Sequence, residues 1–298
     1  MTRRLRYLGA LLAAVLLTAM GCTENSPESS RASTSELSAA AAATGPRPAE
    51  AEVDFQSGID EATAFAASQG LEVSIAVIDR ELDEEIVNGA EADTPFFGAS
   101  LVKLFLADNL LQRQRAGEFR LSAEDRSLLE AMLVASDDAA AYSLYSRFGG
   151  EEIVTEVAQR YRLSSVAPTT EAGVWELTTM SARDVARYYD RFLSRMPAPD
   201  RDYLLGLLRG SAMIAQDGFD QFFGIPTALP GLTWAIKQAW MCCPSNTSYL
   251  HTTGILGTDN RFTVAILSSD SGVVASGFST DVLSQITALV FPPGSIAG

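Results

Sequence analysis

Apolar residues recur at helical spacing from Phe55 to Ser68 and stop at Gly70, which predicts an amphipathic helix closed by a glycine. Leu71 to Ile78 then alternates β-branched with polar or small residues, the pattern of a strand, and Glu85 to Asn88 can pair with it. A long helical stretch follows: Ser100 to Arg115, Ser122 to Ala135 (with a Ser-x-x-Asp cap in Ser122 and Asp125), Asp137 to Phe148, Glu151 to Tyr161, Ser181 to Met196 and Asp200 to Arg209. Extended apolar runs return at Thr233 to Met241, Tyr249 to Gly254 and Phe262 to Ser268, and Thr280 to Val290 closes as a helix. Strands at both ends around a helical middle imply a discontinuous sheet layer with an all-helical insertion. The seam between them is the natural place for a site.

The first fifty residues carry a different pattern. Arg3, Arg4 and Arg6 precede an apolar run, Tyr7 to Ala19, that is short for a membrane span, and Gly21-Cys22 follows where a signal peptide would be cut. Small residues before a cysteine there resemble the lipobox of bacterial lipoproteins, which implies acylation of Cys22. Residues 1–21 are therefore expected to be a lipoprotein signal peptide and residues 22–52, rich in Ser, Ala, Pro, Glu and Thr, a disordered tether. The folded domain is expected over 53–298, outside the cytoplasm and held to the cell membrane by lipid, as a monomer. Residues 1–21 hold three Arg and no acid, so their removal takes the net charge from −15 to −18. That balance, with no cluster of Lys and Arg beyond the N-terminus, excludes nucleic acid as a partner.

Candidate chemistry begins with a count. Of 22 basic residues only Lys103 and Lys237 are lysine. Arg stays protonated at any relevant pH, whereas a desolvated Lys beside another cation can lose its proton and serve as a base. Pro95 to Lys103 places Ser100 after Gly-Ala at the start of an apolar helix, with Lys103 one turn on along the same face. The helix start favours developing negative charge. Ser136-Asp137-Asp138 lies at a helix junction, and Lys237-Gln238-Ala239-Trp240 lies on a strand. Ser-x-x-Lys, Ser-Asp-Asn and Lys-Thr-Gly on helix, helix junction and strand form the signature set of penicillin-binding proteins and class A β-lactamases. Residues 53–296 resemble that penicillin-recognising serine hydrolase family in the order, spacing and context of these motifs. Lys237 to Cys243, Leu250 to Gly254 and Gly218 to Pro226 look more narrowly like the actinobacterial alanine-rich lipoproteins of the LppW type.

The resemblance implies an α+β, β-lactamase/transpeptidase-like fold: an antiparallel sheet flanked by helices, plus the helical insertion. It implies Ser100 as nucleophile, Lys103 as base, Ser136 as proton relay, and Lys237 as anchor for a substrate carboxylate. The N–H groups of Ser100 and Trp240 would form the oxyanion hole, and Asp138, Gln238, Ala239 and Trp240 would contact substrate. The reaction is then acyl transfer from a β-lactam or from the D-alanyl amide of a peptidoglycan stem, without metal or other cofactor.

Three departures alter this expectation. Asp138 replaces Asn, where a carboxylate would raise the pKa of Lys103, pair with Lys237, or hold a structural bond. Gln238-Ala239 replaces Thr-Gly, removing a hydroxyl and adding a methyl group. Val166 to Thr179 lacks a Glu-x-x-Leu-Asn, leaving Glu171 or Glu176 as a deacylation base or as a solvated loop acid. A catalytically impaired binding protein for peptidoglycan or an envelope protein, and a D,D-peptidase, are the competing functions. Cys242-Cys243 can close a vicinal disulfide or lie as two buried small residues. His251 is expected as a packed or half-exposed residue of its strand rather than a catalytic base, and Tyr188, Tyr189 and Phe192 to pack in the core.

Overall fold

The computed structural model describes residues 54–272 and 279–296; the signal-peptide and tether assignments lie outside the described residues. Helix α1 (Phe55–Ser68) is capped by Asp54, whose carboxylate accepts the Ser57 N–H, and leads into β1 (Glu72–Asp79) and β2 (Glu84–Val87). Strand β3 (Phe96–Phe97) and a 3₁₀ turn (Ala99–Leu101) precede α2 (Val102–Arg115). Next come α3 (Ala123–Val134), α4 (Asp138–Phe148), α5 (Glu151–Tyr161), β4 (Thr179–Met180), α6 (Ala182–Arg195), α7 (Ala198–Arg209) and α8 (Ile225–Ala228). Strands β5 (Trp234–Met241), β6 (Ser248–Leu256) and β7 (Phe262–Asp270) precede α9 (Thr280–Val290). The Ser122–Asp125 capping box is present at α3 in both directions.

The main sheet runs β2-β1-β7-β6-β5, antiparallel throughout, so the two ends of the chain build one layer and the helical middle is inserted between them. Alternation sends residues of each strand to opposite faces. Ala76, Ile78, Ala239 and Ala265 join a core with the inserted helices, while Ile75, Val77, Ile236, Val264 and Ile266 pack against α1 and α9. Helix α2 is buried from Val102 to Leu111 and forms the axis of the insertion. Such a helix must place its polar groups in pairs. Asp108 accepts bonds from Arg160 Nη1 (2.5 Å) and Tyr161 OH (2.7 Å), and burial still raises its pKa to about 6. Tyr188, Tyr189 and Phe192 are core residues, as the spacing suggests.

One helix contact predicts a mutational effect. A mid-helix Gly58→Ala would ordinarily stabilise by about 0.5–1 kcal/mol. Here an added Cβ would lie 2.6 Å from the Leu289 carbonyl oxygen of α9. The backbones must separate, so the substitution is expected to destabilise by about 1–3 kcal/mol, read as a lower urea midpoint at unchanged m-value.

Candidate active site

Strands β3 and β4 pair Phe96 with Met180 and Phe97 with Thr179, and the Gly98 N–H donates to Thr178 O at 2.7 Å. A Cβ at Gly98 would fall 2.5 Å from Met180 Cε, so a larger residue there requires the Met180 side chain to shift. The next residue, Ala99, has φ 44°, a left-handed conformation costly for a side chain with a Cβ. This bend delivers buried Ser100 into the 3₁₀ turn that continues as α2.

Lys103, on the first turn of α2, brings the three sequence motifs together. Its Nζ donates to Ser100 Oγ (2.9 Å), Ser136 O (2.6 Å), Ser136 Oγ (3.1 Å) and Asp138 Oδ1 (2.5 Å). Ser136, between α3 and α4 at φ 53°, is the second left-handed residue of the site, and its Oγ lies 3.1 Å from Ser100 Oγ. Asp137 caps α4 by accepting the Ala140 N–H, which places Asp138 on the first helical residue. From β5, Lys237 Nζ reaches Ser136 Oγ and Gln238 O, each at 2.9 Å. Two lysine amines thus flank one hydroxyl, and both are about 1% exposed.

That proximity governs their ionisation. Burial is the strongest influence on Lys103 and lowers its pKa, although Asp138 pulls the other way. Lys237 is pushed well below the usual range by burial and then by the Lys103 charge, and its Nζ touches only neutral groups. The carboxylate at position 138 therefore does pair with Lys103, as one of the three alternatives held, but burial outweighs it.

The remaining sequence candidates divide. Gln238 does not face the substrate with its side chain: its Nε2 donates to Gln221 O (3.1 Å) and Phe223 O (2.6 Å), and its Oε1 accepts the Thr253 N–H. Gln221 in turn donates to Val134 O and Ala212 O at the end of α3. The amide replacing a hydroxyl has become a buried tie between β5 and the insertion, and Ala239 is likewise buried against the core. The substrate contacts expected of these two side chains are corrected accordingly. Trp240 does line the cleft and stacks on Phe219 (4.5 Å, 18°), with its Nε1–H donating to Asp217 Oδ2 at 2.9 Å.

The cleft over Ser100 has a volume of about 800 Å³. Asp138, Trp175, Glu176, Asp217, Phe219 and Trp240 are among the residues of its lining. Glu171 is outside it, exposed and tied to Thr169, so of the two glutamates Glu176 alone borders the site. Sequence periodicity missed Trp175, Asp217 and Phe219, because the segments carrying them are irregular. Cys242 and Cys243 are joined by a disulfide at the cleft margin, with Cys242 exposed; they are not buried strand residues. Among the described residues no group of three or more His, Cys, Asp or Glu is placed to hold a metal.

His251 is fully buried on β6. Its Nδ1 accepts the Ser268 N–H (3.2 Å), so Nε2–H donates to Phe97 O (2.8 Å) and ties β6 to β3. Burial lowers its pKa to about 4, against backbone hydrogen bonds with Phe97 and Leu250. A base depressed in the fold withdraws stability as pH falls from its ordinary value near 6.5 toward 4. As the only histidine, it should show one imidazole titration by NMR, with a midpoint near 4. A midpoint near 6.5 would mean the ring is solvated.

Against known proteins, the family model described as "Beta-lactamase enzyme family" matches residues 123–291. Mycobacterium tuberculosis (strain ATCC 25618 / H37Rv) has a relative named "Putative lipoprotein LppW", 38% identical over 243 residues, 80% of this chain and 75% of that protein. The Mycobacterium bovis protein of the same name matches equally. Among solved structures, PBP-A superposes with TM-score 0.64 at 16% identity, over 80% of this chain and 95% of its own. A class A β-lactamase from Mycobacterium abscessus gives 0.63 at 16%, over 78% and 97%. The β-lactamase-like fold is thereby established, with an antiparallel sheet and flanking helices.

Proposed function

The chain belongs to the β-lactamase enzyme family, and on that premise we propose that it is a serine hydrolase of the cell envelope in which Ser100 takes the acyl group from a β-lactam or a D-alanyl amide. The observation that carries this reading is the closed ring of Ser100, Lys103 and Ser136, joined by Lys237 at Ser136 Oγ, all buried and linked by bonds of 2.9–3.1 Å. Ser100 Oγ attacks the carbonyl carbon and gives its proton to a neutral amine, to Lys103 directly or to Lys237 through Ser136. The N–H groups of Ser100 and Trp240 hold the resulting oxyanion. The C–N bond then breaks, Ser136 returns a proton to the leaving nitrogen, and an ester remains on Ser100. Water releases the acyl group, with Glu176 the carboxylate placed beside the cleft to orient it.

Anchoring through an acylated Cys22, on the outer side of the cell membrane, is supported by the Gly21-Cys22 sequence and by the relatives' name. Among the described residues no helix is long and apolar enough to cross a membrane. A second reading, a binding protein that retains the fold, is favoured by the Asp138 carboxylate at 2.5 Å from Lys103 Nζ, which opposes the loss of the amine's proton that burial promotes.

Intact-protein mass spectrometry after incubation with benzylpenicillin and with a D-alanyl-D-alanine thioester separates the readings. An adduct mapping to Ser100 that decays slowly is expected. Turnover of the thioester with no lasting adduct points to an efficient D,D-peptidase. With neither adduct nor turnover, the hydrolase reading fails and the binding protein stands.

A further inference from the structure

The charge distribution around Ser100 points to a preference in the substrate. Among the described residues lining the cleft, the charged side chains are Asp138, Glu176 and Asp217, and none is Arg or Lys. The two lysines lie behind this surface, buried, with both amines already bonded to protein acceptors. Gln238, where a hydroxyl would meet a carboxylate, is turned into the core. An anionic substrate group would therefore meet the carboxylates of Glu176 and Asp217, with Asp138 already paired to Lys103, and no accessible cation.

The aromatic walls act in the same direction. Phe219 stacks on Trp240, and Trp175, also in the lining, has Lys103 Nζ 5.2 Å from its ring centroid. Aromatic faces attract ammonium groups and offer nothing to carboxylates. Asp217 is held by neutral donors, the Trp240 indole N–H and the Phe219 N–H, each at 2.9 Å, which fixes its carboxyl group at that aromatic platform.

We propose that this cleft selects acyl donors bearing a cationic group, a primary or quaternary ammonium, next to the bond attacked by Ser100, and discriminates against those bearing a carboxylate there. Asp217 and Glu176 set the preference, with Trp240 as the surface against which the ammonium rests. This rests on the reading of the cleft as an acyl-transfer site, but it concerns which ligand enters and is measurable without acyl transfer.

The test uses the full-length Ser100→Ala protein, which cannot be acylated at that position, and two amides on the same D-alanyl-ethylene frame and opposite in charge. These are N-acetyl-D-alanyl-2-(trimethylammonio)ethylamide and N-acetyl-D-alanyl-β-alanine, titrated by calorimetry at low salt. The cationic amide is expected to bind about tenfold or more tightly, the order set by a carboxylate a few ångströms away in a partly solvated cleft. The preference should shrink as ionic strength rises and fall to within about twofold when Asp217→Asn and Glu176→Gln are added. Equal affinities, tighter binding of the carboxylate, no binding of the cationic amide, or an unchanged ratio in the triple variant would overturn the proposal. Should that variant fail to fold, the salt dependence of the ratio in the Ser100→Ala protein decides. Labelling of wild-type protein by a neutral D-alanyl thioester reports separately on the nucleophile. A charge preference without labelling sinks the hydrolase reading and leaves this inference standing; labelling without a preference does the reverse.

Discussion

Ser100→Ala is expected to abolish covalent labelling by penicillin and by D-alanyl thioesters, a loss of at least about 10³-fold, while the fold stays intact. Removing Oγ deletes the only atom on which the acyl ester can form, and no compensating hydroxyl stands in its place. Ser136 Oγ is 3.1 Å away, but it bonds to both lysine amines and serves as their bridge. The structural cost is small for a related reason. Lys103 Nζ keeps Ser136 O and Asp138, and Ser136 Oγ keeps Lys237, so each loses one bond of several, about 1 kcal/mol in total. Fluorescent-penicillin labelling beside thermal unfolding measures both quantities. If the alanine protein labelled at the wild-type rate, the nucleophile lies elsewhere; if its Tm collapsed, the lost labelling would reflect folding rather than chemistry.

Much of the scaffold behind that serine was legible from the chain because its pattern is strongly periodic. Phe55 to Ser68, Glu151 to Tyr161 and Thr280 to Val290 are helices with the expected ends. The three late strands differ from expectation by a residue or two at their termini, where ladders extend past the apolar run. The scarcity of lysine singled out the two amines that meet at Ser136, since charge-bearing surface here is built from Arg. The β3–β4 pair was not legible: two residues on each strand carry no period, yet they set the bend before Ser100. Nor was the fate of Gln238, whose partners Gln221 and Phe223 lie in irregular chain. The acidic and aromatic cleft wall depends on segments from four regions of the chain converging, which no local pattern records.

Asp138→Asn, which restores the Ser-Asp-Asn sequence of the family signature, is expected to speed acylation at neutral and mildly acidic pH. Burial lowers the Lys103 pKa, and the Asp138 carboxylate at 2.5 Å is the largest influence opposing it. Asparagine keeps an oxygen for Nζ to bond and removes the charge, so the pKa falls further. The amine must be neutral to accept the Ser100 proton, so acylation rises with pH through the pKa of the base. Moving that limb about 1–3 units lower raises the rate on its acid side about tenfold per unit. Stability moves the other way. A lysine whose pKa is lowered by folding withdraws stability as pH falls below its ordinary value near 10.5, and a deeper depression widens that loss at neutral pH. The first turn of α4 also loses a charge favourable to its N-terminus, worth about 0.3–1 kcal/mol. The variant should therefore be the better acyl acceptor and the less stable protein. The pH profile of Ser100 labelling, read beside urea unfolding at pH 7, checks both signs. A limb that stayed in place would transfer the base role to Lys237 through Ser136. A limb displaced upward, or slower labelling at every pH, would mean that the Lys103 ammonium itself, held by Asp138, is the form the chemistry uses.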